Sequence, residues 1–184
     1  EKHIRAESDD RLEAAKREVK LEVTESGGKL KLLVDGPFRC QCDNWGTRRN
    51  GYHVTYDFKV RIPQDAAFDL RTVNGAMSLE SIAGTGKAST VNGGVRVVYM
   101  KNPTGPVAFG TINGSVDLTL QPGLAADLRM KTMNGGMFTD FEVTPLPQEP
   151  ATAERRNGKF VYRMQDAARV RVGGGGPELN LKTL

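Results

Sequence analysis

The chain has 184 residues, of which 38% are hydrophobic, with 26 basic and 22 acidic side chains. This length suits one domain, or one domain with a small appendage. A formal charge of +4 indicates a mixed surface, which does not by itself predict nucleic-acid binding. No apolar run reaches the roughly 18 residues of a membrane-spanning helix.

Residues 1–66 are predicted to form an N-terminal arm and β-strands that pack on, or cap, a repeat region in residues 67–184. Ser8, Asp9 and Asp10 can cap a short helix that runs through Lys16. A frayed arm is the alternative. Alternating apolar residues on either side of Gly27-Gly28 then predict a pair of strands.

Residues 36–51 are the least regular part of the chain and contain Cys40, Cys42, Trp45, Arg48 and Arg49. The Trp and the two arginines are candidates for a glycan or partner platform, because both residue types are enriched in interface anchors. A hydrophobic staple over the first repeat is the competing interpretation.

The next segment, residues 52–62, has the cleanest alternation in the sequence, and it predicts one long strand that Pro63 ends. Its apolar face is expected to pack into the first repeats.

A tetrapeptide of the form Thr-(Val/Ile/Met)-Asn-Gly occurs four times between residues 68 and 141. Its asparagines are 18, 21 and 21 residues apart. A fixed period near 20 residues is typical of repeat architectures. The threonines and asparagines form the predicted structural ladder: Thr72, Asn74, Thr90, Asn92, Thr111, Asn113, Thr132 and Asn134.

Two all-β folds satisfy this pattern. One is an antiparallel meander with a β-hairpin at each Asn-Gly, which would pair Thr72 with Met77 and Leu70 with Leu79. The other is a β-solenoid, or parallel β-helix, with rungs of about 18–21 residues. Only stacking explains why Thr recurs two residues before each Asn, because it places like residues about 4.8 Å apart. The pattern therefore favours the solenoid, with Thr and Asn directed inward.

The residue between Thr and Asn takes the opposite, outward phase in every copy. These residues are apolar: Val73, Val91, Ile112 and Met133. Stacked apolar side chains on an exterior would form a patch of the kind that marks an interface. Coverage by the N-terminal strands or by the Pro-rich loop at residues 144–158 is the alternative.

After that loop, residues 159–164, 168–172 and 178–184 read as strands, the last following Gly173–Gly176. The four repeats and this closing Gly-Gly-Gly-Gly-Pro-Glu-Leu-Asn-Leu segment resemble the bacterial adhesin-like domain family, over roughly residues 19–184. The resemblance implies a β-solenoid of the envelope or cell surface and supplies no catalytic residues. It also implies another Asn-Gly after Thr183-Leu184.

The remaining motifs give only weak chemical signals. Cys40 and Cys42 could be a redox pair, half a metal site with His53, or a local disulfide, but a zinc site needs four ligands. Gly173–Gly176 lacks the Lys-Ser/Thr of a phosphate-binding loop, so a tight turn is the better interpretation. Asp117, Asp127 and Asp140 invite comparison with polysaccharide-cleaving β-helices, although nothing in the sequence brings them together. Ice binding through the threonines would require them to face outward.

The sequence thus predicts a non-enzymatic envelope or cell-surface protein that interacts with proteins or glycans and needs no cofactor or metal. We expect an extracytoplasmic location, in the periplasm or at the cell surface, with a signal peptide missing from this sequence. The alternatives are a polysaccharide-acting enzyme and an envelope-stress regulatory module. No nucleic-acid partner is expected, and the oligomeric state is open.

Overall fold

The computed structural model describes residues 1–37, 51–147, 152–156, 159–163 and 167–184, with backbone alone for the strands between residues 152 and 163. The chain is predominantly β: strand accounts for 50% of its residues, with little helix. It divides into two compact units, Glu1–Arg61 and Ile62–Leu184, which are described separately.

The described part of the first unit contains one helix and four strands. In chain order these are β1 (Lys2–Ala6), α1 (Asp9–Glu18), β2 (Lys20–Ser26), β3 (Lys29–Asp35) and β4 (Tyr52–Tyr56). The Ser8 side chain accepts a hydrogen bond from the Arg11 amide and so caps α1. Strands β2 and β3 form an antiparallel hairpin, and β1 pairs antiparallel with β4.

The long strand predicted for residues 52–62 is shorter in the structure. Strand β4 ends at Tyr56, and no strand is assigned from residue 57 to residue 67. The pairing with β1 explains this end, because β1 begins at Lys2, which lies opposite Tyr56. Phe58, Val60 and Ile62 are exposed, although their alternation is that of a half-buried strand.

The second unit contains twelve strands among the described residues. They are β5 (Phe68–Arg71), β6 (Met77–Ile82), β7 (Gly86–Ser89), β8 (Val95–Tyr99), β9 (Val107–Thr111), β10 (Val116–Thr119), β11 (Ala126–Thr132), β12 (Val143–Pro145), β13 (Thr152–Arg156), β14 (Lys159–Arg163), β15 (Ala168–Val172) and β16 (Glu178–Thr183). Strands β12 and β13 lie within or beside the segment that the sequence suggested as an unstructured loop. Strands β13 and β14 pair antiparallel.

The strands on the two sides of each Asn-Gly belong to different sheets. Strands β5, β7 and β9 precede the first three copies and lie in a seven-stranded sheet of order β12-β15-β11-β16-β9-β7-β5. Strands β6, β8 and β10 follow those copies and form a separate parallel sheet of order β10-β8-β6. Leu70 therefore pairs with Ala88, and Leu79 with Val97, so the pairs expected from a hairpin meander are not the pairs observed.

The inward side chains of the two sheets form one hydrophobic core. Its largest fully buried side chains are Tyr99, Phe109 and Leu179. The Phe109 ring stacks on Phe68 and meets Tyr99 edge-on, with ring centroids 6.4 Å apart in both cases. The Tyr99 hydroxyl donates to the Gly84 carbonyl at 3.2 Å, so the buried ring also fixes the turn before β7.

The fourth copy departs from the first three in two ways. No strand directly follows its Asn-Gly, since residues 133–142 contain none, and Met137 and Phe138 are exposed. In addition, its upstream strand β11 does not pair with β9. The C-terminal strand β16 lies between them, parallel to both, and β15 and β12 complete the sheet on the other side of β11.

Candidate interaction surface

The repeat threonines line up across the seven-stranded sheet. Thr111 pairs with Thr183 on one side of β16, and Thr132 pairs with Thr183 on the other. The column contains five threonines in the order Thr72, Thr90, Thr111, Thr183 and Thr132.

Thr90 and Thr111 are buried. Their hydroxyls donate to the carbonyls of Gly75 and Gly93, at 3.0 and 2.8 Å, which ties each copy to the preceding one.

The asparagines of the first three copies form a hydrogen-bonded ladder. The Asn92 amide donates to the Asn74 side-chain oxygen, and the Asn113 amide donates to that of Asn92, both at 2.8 Å. The sequence placed these amides inside the fold, but all of them are exposed. The chain bends at Asn-Gly, so the amides lie at a solvent-facing corner. Asn134 is separated from Asn113 by the position of β16 and has no amide–amide hydrogen bond among the described residues.

The glycines that follow Asn92 and Asn113 allow neighbouring copies to approach closely. A Cβ atom on Gly93 would lie 2.5 Å from the Gly75 carbonyl oxygen, and one on Gly114 would clash with the Gly93 carbonyl. Gly93 also has a φ of +144°, which side chains rarely adopt. The sequence suggested glycine only for the bend, whereas stacking is a second requirement for it.

The apolar residues between Thr and Asn lie side by side on the exterior. We call them, with Leu184, the apolar stripe: Val73, Val91, Ile112, Leu184 and Met133. Val73, Ile112 and Met133 are 61%, 45% and 69% exposed, and Val91 and Leu184 are half-buried. The order of the residues along the stripe follows from backbone hydrogen bonds. The backbone N–H of Asn113 donates to the Val91 carbonyl at 2.7 Å, and the backbone N–H of Leu184 donates to the Thr111 carbonyl at 3.1 Å. Four inter-strand steps of about 4.8 Å give the stripe a length of about 19 Å.

Leu184 is a member that sequence reasoning missed, because the period of 18–21 residues does not include it. The signal was present in Thr183-Leu184, which repeats the Thr-apolar phase of the four copies. Placing it required knowledge that β16 lies between β9 and β11.

The aspartates considered for catalysis lie on different elements. Asp117 is exposed on β10, in the three-stranded sheet, and Asp140 is exposed in the segment before β12. Asp127 is on β11, in the other sheet, and accepts two hydrogen bonds from the Arg171 guanidinium at 2.7 and 2.9 Å. That contact holds the pKa of the Asp127 carboxyl below its usual value, against the smaller opposing effect of desolvation.

Of the remaining candidate residues, the structure describes the glycine run and His53 but not the cysteines, Trp45 or the two arginines. Gly173 and Gly175 have positive φ, and a Cβ atom on Gly173 or Gly176 would meet a backbone carbonyl oxygen of Leu124 or Ala125, as in a tight turn packed against neighbouring backbone. Cys40, Cys42, Trp45, Arg48 and Arg49 lie outside the described residues. Within the described ranges, His53 is exposed on β4, and no three His, Cys, Asp or Glu side chains are grouped to hold a metal ion.

A helix long and apolar enough to cross a membrane is absent from the described part of the chain. Comparisons with protein-family models, curated proteins and solved structures gave no match to this chain.

Proposed function

We propose that residues 62–184 form a β-solenoid in which each Thr-x-Asn-Gly is one corner of a coil. Support comes from the parallel registers, since neighbouring strands pair at the offset of 18 or 21 residues that separates the repeats. Leu70 pairs with Ala88 and Ala88 with Phe109, while Met77 pairs with Val95 and Val95 with Val116. Across β5, β7 and β9, and across β6, β8 and β10, each strand thus advances by one repeat.

The protein, in this proposal, is a non-enzymatic envelope or cell-surface protein that binds a protein or glycan partner. The observation that carries the proposal is the apolar stripe. Its residues follow the ends of neighbouring strands, so they form one continuous row. Large apolar side chains at 45–69% exposure in such a row are typical of interaction sites rather than of scattered surface residues.

The strand framework gives this surface the rigidity that binding favours. The stripe residues immediately follow the threonines, whose hydroxyls bond to the neighbouring copy at Thr90 and Thr111. Side chains held on a fixed backbone lose less conformational freedom when a partner binds. The extracytoplasmic location rests on the resemblance of the repeats to adhesin-like domains.

A binding assay on the full chain and one matched pair of variants tests this function. A glycan array and a pull-down from bacterial envelope extract are carried out with the wild type, Ile112→Ser and Met100→Ser. Ile112 is 45% exposed within the stripe, and Met100 is 42% exposed outside it. We expect a discrete partner that Ile112→Ser loses and Met100→Ser retains. Equal retention by both variants, or no specific partner, would contradict the proposal.

A further inference from the structure

We propose that the outer face of strands β16, β11 and β15 binds an acidic polysaccharide, an inference that rests on the proposed function and names its ligand class. The face carries a cluster of cations that we call the basic patch: Arg129, Lys131, Arg169 and Lys182. These side chains alternate with residues of the hydrophobic core, such as Leu128, Met130 and Leu181, and so point away from it.

The register places like charges directly opposite one another in the basic patch. Lys131 is the strand partner of Lys182, and Arg129 is the strand partner of Arg169. Opposed like charges on neighbouring strands destabilise a sheet. The opposition of Lys131 and Lys182 is unfavourable for folding alone, and a bound polyanion would relieve it.

Two carboxylates share this face with the cations, and they lie opposite each other at one end of the strands. Arg171 is paired with Asp127, and Glu178 lies opposite Asp127 in the next strand. Arg129 and Arg169 take part in further polar or electrostatic contacts. For Lys131 and Lys182, no hydrogen bond or ion pair occurs with the residues that the structure describes. Five cations therefore share the eight outward positions of the three strands with two carboxylates and Asn180.

The composition of this face favours a hydrated polyanion over other partners. None of its outward residues is apolar or aromatic. Protein interfaces have cores depleted in charge, and single-stranded nucleic acids are bound by stacking on aromatic rings. A chain of uronic acids presents carboxylates to the cations at regular intervals. The Asn180 amide, beside Arg129 in the register, can bond to sugar hydroxyls.

Polygalacturonate serves as the probe, with binding to the full chain measured by calorimetry at low and moderate salt. The double variant Lys131→Gln/Lys182→Gln removes the opposed lysines. The control variant, Lys29→Gln/Lys31→Gln, makes the same change of charge at exposed lysines of β3. Affinity should fall about tenfold or more in the patch variant and hardly change in the control. Wild-type affinity should fall by a similar factor between about 50 and 200 mM salt.

Melting temperatures, and binding to DNA and to phosphatidylglycerol vesicles, separate the inference from its alternatives. The patch variant should melt at or above the wild-type temperature, since it removes a like-charge pair, so lost binding would not reflect unfolding. Equal losses in both variants, no binding to polygalacturonate, or binding only to DNA or to phosphatidylglycerol vesicles would overturn the inference. If a partner in envelope extract still binds through the apolar stripe, only the acidic-polysaccharide inference fails and the proposed function stands.

Discussion

At the residue scale, the repeat asparagines act through their neighbours in the stack. Each amide of the ladder bonds to the corresponding amide of the adjacent copy. Asn92 is the middle member, because it donates to Asn74 and accepts from Asn113. An exposed hydrogen bond of this kind contributes about 0.5–1.5 kcal/mol, since water competes for both partners.

Asn92→Ala should therefore lower the free energy of unfolding by about 1–3 kcal/mol, because it removes two such bonds. Asn134→Ala is the matched control, since Asn134 occupies the same motif position but lies outside the ladder. Both residues are exposed, so a difference in burial would not explain a difference in stability between the two variants. Urea unfolding of the two variants measures the difference. Equal destabilisation would mean that asparagine matters for the turn alone.

The period of the motif indicated which residues align, but it did not indicate on which side of the backbone their side chains lie. Thr and Asn are two residues apart, so a regular strand would place both inside. The strand ends at Thr or one residue before it, however, and the bend turns Asn into solvent while Thr90 and Thr111 stay buried. Sequence alternation cannot report that change, because it assumes extended backbone throughout.

At the element scale, β16 is the least predictable part of the sheet. Its existence followed from alternation in residues 178–184, but its position between β9 and β11 did not. Strand order depends on which backbone edges are free after the repeats have paired, and no local pattern records that. The consequence is that the fourth repeat is displaced by one strand, so Asn134 leaves the ladder and Leu184 joins the stripe.

Strand β16 should also be a main source of stability for the second unit. Leu179 is fully buried and lies between Val107 and Leu128 in the register. Leu179→Ala should cost about 2–5 kcal/mol, because the rigid strands on both sides prevent the cavity from closing. Leu70→Ala on the edge strand β5 is the control, since Leu70 is partly exposed and should cost less. Thermal and urea unfolding would compare them, and equal costs would contradict the expected larger contribution of β16.

At the scale of the whole molecule, the two units differ sharply in the core that each possesses. Among the described residues of the first unit, only Ala15 and Val19 are buried apolar side chains. Its β2–β3 hairpin leaves Leu21, Val23 and Leu30 exposed, and a two-stranded hairpin is marginally stable by itself. The second unit has a continuous core shared by two sheets.

This contrast predicts that the first unit unfolds before the second as the urea concentration rises. Hydrogen exchange followed by mass spectrometry in increasing urea should show the amides of β1–β4 losing protection before those of β8, β9 and β16. The reason is that local opening is easiest where few apolar contacts must be broken. Val97→Ala, a fully buried change in β8, should lower the urea midpoint of the second unit and leave that of the first unchanged. Simultaneous loss of protection in all strands, or an equal shift of both midpoints, would show instead that the whole chain unfolds as one cooperative body.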